Sequence, residues 1–168
     1  MPSIEPWLRG GEAEIPAVAR AVLHALQLAE EDLNKWCGRL SDAELNARPR
    51  GAPAVAFHIR HLARSIDRLL TYAEGEALSE RQIVLLQSEL MPQATRRELF
   101  AELGAALSNG MARVRALAVI DLEQTRVVGK KRLPATVGGL LVHVADHTQR
   151  HVGQAITTAR IVTGEDAL

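Results

Sequence analysis

The segment LLVHVADHTQRHVGQAITTAR, residues 140–160, decides how the rest of the chain is read. It carries His143, His147 and His151 at i, i+4 and i+8. At 3.6 residues per turn, each step of four advances about 40° around a helix, so the three imidazoles share one stripe. Leu140, Val144, Gln154, Thr158, Ile161 and Val162 fall on or beside it, which predicts an inward-facing stripe. A ring buried there needs a polar partner, because an unpaired polar group in an apolar setting is costly. A lone histidine is ordinarily satisfied by a carboxylate or a carbonyl. Three in register point to a shared metal ion, since His-x-x-x-His on a helix presents two nitrogens to one cation.

Pro134-Ala-Thr136 launches this helix, with Thr136 as its cap, and Gly164 ends it. Before it, residues 120–133 lose helical periodicity around Gly129, Lys130 and Lys131, a long connection that is either an irregular crossover or functional. Thr95 and Glu98 form a capping box for another long helix. It runs to about Ala118 with Leu99, Leu103, Ala106, Val114 and Leu117 inward, Gly104 and Gly110 being tolerated interruptions. Ser79 to Gln82 opens a short helical piece that reaches Leu90 and halts before Met91-Pro92.

A further long helix spans Ala54 to Ala73, with Pro53 at its start and Gly75 after it. Val55, Ile59, Leu62, Ile66, Leu69 and Ala73 make its apolar face. His58 and His61 lie at one edge of that face as surface neighbours. His58 stands about 60° nearer the apolar centre and is the better ligand on periodicity alone. The first long helix falls within residues 12–40 and ends near Gly38, with Ile15, Val18, Val22, Leu26, Leu33 and Trp36 inward. Its lone His24 is read as structural. Ser41 to Glu44 caps a short turn of helix, residues 46–53 form a loop, and residues 1–11 look poorly ordered.

Four long amphipathic helices with no strand pattern and no repeat predict an all-α four-helix bundle, one domain over residues 1–168. The connections between helices 2 and 3 and between 3 and 4 are long. Bundles build metal sites from side chains facing across the core, so the histidines require helices 2 and 4 to be adjacent. Twenty basic and 20 acidic residues give zero formal net charge, and the arginines are scattered, so no nucleic-acid partner is expected. No stretch approaches 18 uncharged apolar residues, and residues 1–11 lack the basic start and apolar run of a signal peptide. A single cysteine, Cys37, fits a reducing, cytoplasmic setting and reads as inert.

Two stretches together resemble the DinB-like family: FHIRHLARS at residues 57–65 in the second long helix, and LVHVADHTQRHVGQ at 141–154 in the fourth. The resemblance implies the four-helix bundle shared by DinB and mycothiol-dependent maleylpyruvate-isomerase-like proteins, often a homodimer. It also implies one divalent metal held by three histidines. Carried over by motif, these are His61, followed directly by Leu-Ala, and the pair His147 and His151, the latter just before Val-Gly-Gln. His58 and His143 are extra, as substitutes or as groups that orient ligands or substrate. Periodicity and resemblance choose differently between His58 and His61, and the sequence leaves both open.

Three neutral imidazoles leave a cation with free coordination positions, as in catalytic zinc sites. Nitrogen ligation suits zinc, nickel, iron or cobalt better than calcium or magnesium. Such an ion can acidify a bound water, activate a thiolate or polarise a carbonyl. The resemblance implies a hydrolase or a thiol-S-transferase, the latter with a low-molecular-weight thiol, acting on a small molecule the sequence does not identify. A non-catalytic module, in which an ion merely ties helix 2 to helix 4, is the alternative, and histidines satisfied without metal are the third. No catalytic residue stands out. Asp146 points about 100° away from His147, and Gln154 either fills core or meets substrate.

Overall fold

Four stretches with an apolar face long enough to bury become the long helices α1 (Ala17–Cys37), α3 (Val55–Ala73), α5 (Arg96–Leu117) and α6 (Val137–Thr163). They are seen in a computed structural model that describes residues 4–90 and 93–164. Two short helices, α2 (Asp42–Asn46) and α4 (Glu80–Gln87), lie in the connections. Ser41, Ser79 and Thr95 each cap the helix that follows, with reciprocal bonds from Glu44, Gln82 and Glu98. Thr136 caps α6 by accepting from the Gly139 N–H, and Gly164 closes that helix at φ 71°. Pro16 occupies the N-cap of α1, so that helix starts at Ala17 rather than near Glu12. The piece expected to reach Leu90 stops at Gln87, where Ser88 leaves helical geometry and Glu89 turns inward. The Met91-Pro92 stop lies outside the described residues, as do Met1 to Ser3. Pro6–Leu8 form a 3-10 turn against α1 where composition suggested a poorly ordered start, and Arg9 grips both oxygens of Glu31.

α3 packs on α6 and α5, and α1 packs on the same two, so the order around the bundle is α1, α6, α3, α5. The required adjacency of α3 and α6 is therefore present. Consecutive helices α1 and α3 sit on a diagonal, as do α5 and α6. The crossing connections are the first and the third. Leu23, Leu26 and Leu33 from α1, Ile59, Leu62, Ile66 and Leu70 from α3, Leu99, Leu103 and Leu107 from α5, and Leu141 from α6 are fully buried between them. Arg113 of α5 ties that helix to α3 through Asp67, Thr71 and Glu74.

The third connection contains two strands the sequence did not announce: β1 (Thr125–Val128) pairs antiparallel with β2 (Leu133–Thr136), Val128 opposite Leu133. Each is only four residues long, and Pro134 sits within the second, so no alternating pattern of useful length exists. The hairpin docks where Val137 and Gly138 donate their N–H groups to the carbonyls of Gln124 and Leu122.

Gly110 is more than a tolerated interruption. It is buried where α5 meets α3, and a Cβ there would lie 2.7 Å from Ile66 Cγ2. Around Gly104 nothing lies within 4 Å of such an atom. Gly110→Ala is expected to cost about 1–3 kcal/mol through overpacking. Gly104→Ala should stabilise by up to about 1 kcal/mol through helix propensity. Urea denaturation of the two variants measures the contrast.

Candidate metal centre

The core stripe of α6 is Val137, Leu141, Val144, Thr148, Val152, Ala155 and Ala159. His147 and His151 each stand one position before a member of it, about 100° round the helix, and so occupy the border of the core. Both are half-buried. The expectation that all three histidines face inward is corrected at His143, whose side chain is 48% exposed and lies 3.8 Å from Asp146. Gln154 and Ile161 are exposed as well, so Gln154 fills no core. Asp146 is exposed and paired with Arg150 at 2.6 Å, turned away from the cluster.

On α3 a line of polar side chains at i, i+3, i+7 and i+10 (His58, His61, Ser65 and Arg68) runs beside the apolar face. Packing α3 on α6 sets this line against the α6 histidines. His61 Nε2 comes to 3.0 Å from His147 Nε2. The His151 ring lies 4.5 Å, centre to centre, from His61 and 4.6 Å from His147. One ligand atom each from His61, His147 and His151 falls within 4.8 Å of the other two. Nitrogens bound at about 2.0–2.1 Å to a tetrahedral ion are separated by roughly 3.4 Å, so this trio fits one cation after small side-chain adjustments.

The remaining ring nitrogens explain why these edges converge. His61 Nδ1 is 2.6 Å from Glu89 Oε2, a carboxylate oxygen that accepts a hydrogen bond from Nδ1–H and so leaves the lone pair on Nε2. His151 Nδ1 is 3.1 Å from His58 Nδ1. If His151 offers Nε2 to a cation, its Nδ1–H donates to His58. The more buried helix 2 histidine, His58 at 3% exposure, therefore sits behind a ring of the trio, while the more accessible His61 joins it. Phe57 stacks on His61 at 5.4 Å and meets His58 edge-on. The Ser65 hydroxyl accepts from Arg68 and lies 3.3 Å from His61 Nε2.

Glu89 gave no signal in the sequence, because it follows α4 at a position without helical periodicity. It is 4% exposed and paired with Arg68 as well as His61. Burial raises its carboxyl pKa, but the hydrogen bonds and charges of these two partners outweigh that and hold it below the ordinary value. Phe57 and Glu89 also wall a small cavity of about 280 Å³ with Pro53, Ala54, Ala56 and Leu90. Cys37 lies elsewhere, fully buried, its thiol pushed up to about 12 by burial.

A four-helix bundle with histidines converging between its second and fourth long helices is the class of protein that fold and site define. The DinB superfamily matches residues 25–155. The chain belongs to that superfamily. Among solved structures it is similar to YfiT from Bacillus subtilis, a probable metal-dependent hydrolase with an unusual four-helix bundle topology, at 17% identity and a TM-score of 0.65, over 94% of each chain. It is also similar to a conserved protein from Enterococcus faecalis, at 24% identity and a TM-score of 0.61, over 88% of this chain and 98% of that one. No curated protein matches.

Burial, followed by the charge of His61, lowers the ring pKa of His58 to about 4. The same causes, with further positive neighbours, lower His147 and His151 to about 4. In an unfolded chain a histidine titrates near 6.5, so between pH 6.5 and 4 the unfolded state holds more protons. The stability of metal-free protein should thus be flat above pH 7 and fall as pH drops from 6.5 to 5, before paired carboxylates begin to contribute. Urea denaturation of chelator-treated protein across this window tests it, and His58→Gln should make the slope shallower.

Proposed function

We propose that this protein is a metal-dependent hydrolase of a small molecule, with His61, His147 and His151 holding one divalent transition ion of the zinc, nickel or iron kind. The observation that carries the reading is the meeting of imidazole edges from α3 and α6, with His61 Nε2 and His147 Nε2 3.0 Å apart. Two neutral lone pairs facing at that distance repel unless a proton or a cation lies between them. The donor set is all nitrogen, and burial keeps His147 and His151 deprotonated near neutrality, as ligation requires.

An ion on three imidazoles retains an open position and lowers the pKa of its bound water toward neutrality. The chain's own groups supply the surroundings. Ser65 Oγ, beside His61 Nε2, can orient an oxygen brought to that point. Phe57 covers one face of His61 and keeps water from it. His143, at the exposed edge 5.4 Å from the His147 ring, is placed to touch a substrate entering from solvent. The cavity beside Phe57 accommodates a small apolar group. The likeness to YfiT supports the hydrolase reading over thiol transfer.

Protein purified without chelator should carry close to one transition ion per chain by elemental analysis. His61→Ala, His147→Ala and His151→Ala should each lose the ion on gel filtration. His58→Ala should keep it with affinity weakened about 10- to 100-fold. Hydrolysis of a panel of small esters and amides should vanish on chelation and return with metal. Absence of metal from wild-type protein, or hydrolysis persisting after full chelation, would overturn the reading.

A further inference from the structure

From Glu74 to Leu90 the chain buries one side chain, and it is a carboxylate. Four of its large apolar residues face outward, Ile83 at 38%, Leu86 at 44%, Val84 at 61% and Leu90 at 81% exposure, and Leu78 and Leu85 are only partly covered. Hydrophobic burial therefore does little to hold it. Polar ties to α3 do instead. Gln82 donates to Asp67 at 2.7 Å and to Thr71 at 2.9 Å. Arg64 donates to the Leu85 carbonyl at 2.7 Å and to Ser88 Oγ at 3.0 Å. At its end Glu89 reaches inward, with Oε1 on Arg68 and Oε2 on His61 Nδ1.

A buried charge is expensive unless it is paired, so a surface segment has no stability reason to send its one inward side chain as a glutamate. Its two partners give the reason. Arg68 offsets its charge, and His61 needs an acceptor on Nδ1 if Nε2 is to face the other histidines. We propose that Glu89 is the positioning residue for His61, and that the Glu80–Leu90 segment is a strap whose docking and metal uptake strengthen one another. This rests on the three-histidine reading of the site. A cation on Nε2 draws electron density from the ring and makes Nδ1–H a stronger donor, which tightens its bond to Glu89. Conversely, an undocked strap leaves His61 free to change tautomer and to rotate. The coupling is reciprocal, so the factor by which docking raises metal affinity equals the factor by which metal suppresses undocking.

The test uses the full chain and zinc alone. Glu89→Ala strands Arg68, so the informative variant is the double substitution Glu89→Leu with Arg68→Met, which removes the buried pair together, with Glu89→Gln beside it. Zinc affinity is read by competition with a chromophoric chelator, and strap opening by amide hydrogen exchange with and without zinc. The double variant should keep its helical circular dichroism and thermal midpoint yet bind zinc about 10- to 100-fold more weakly. Glu89→Gln, which retains an acceptor oxygen, should fall between it and wild type. Saturating zinc should slow exchange over residues 80–90 of wild type by a similar factor and leave the double variant unchanged. Zinc affinity within about twofold of wild type in the double variant, or a strap indifferent to zinc in wild type, overturns the inference while leaving the metal site standing. Wild-type protein that takes up no zinc overturns both.

Discussion

Two imidazole nitrogens held 3.0 Å apart, one on α3 and one on α6, are the constraint to which the surrounding structure answers. Nitrogens at that separation share either a proton or a cation, and the adjacent polar groups aim them. Glu89 fixes the proton of His61 on the far nitrogen, and His58 stands at the matching position behind His151. Burial lowers the proton affinity of His58, His147 and His151, so these rings stay neutral at ordinary pH. The apolar core between the helices sets the distance across which the rings meet.

That core is what allows polar groups at its border. Leu62, Ile66 and Leu141 close the bundle at the centre, and Gly110 lets α5 come near enough for α3 to be supported from behind. Arg113 reinforces the same pair through Asp67, Thr71 and Glu74. With its far face braced, α3 can present His58, His61, Ser65 and Arg68 toward α6 without losing its place. The cost of burying these four is limited by pairing each with another polar atom.

Much of this is legible in the sequence, because helical periodicity and capping chemistry are local. Thr95 with Glu98, Ser79 with Gln82 and Thr136 before a long run of helix mark their termini directly. The histidine spacing gives His147 and His151 in register. Periodicity fails where two stripes share one helix. On α6 His143 precedes the core residue Val144 just as His147 precedes Thr148, yet it is largely exposed, its ring meeting His147 and Asp146 of its own helix, and spacing alone does not tell the two apart. On α3 the most inward histidine, His58, meets one ring of α6, that of His151, whereas His61 meets both His147 and His151, so depth selects His58 while the trio takes His61. Glu89 is not legible at all, since its role depends on a turn after α4 and on Arg68 twenty-one residues earlier. The β1–β2 hairpin escapes for the same kind of reason: its four-residue strands are held by the start of α6.

The partners that meet across α3 and α6 are separated by 86 residues of chain, and α6 follows every other helix of the bundle. While the polypeptide emerges from the ribosome, the earlier half of the site is complete in sequence yet has nothing to face. No fragment lacking α6 can assemble the trio, because two of its three members, His147 and His151, stand on that last helix.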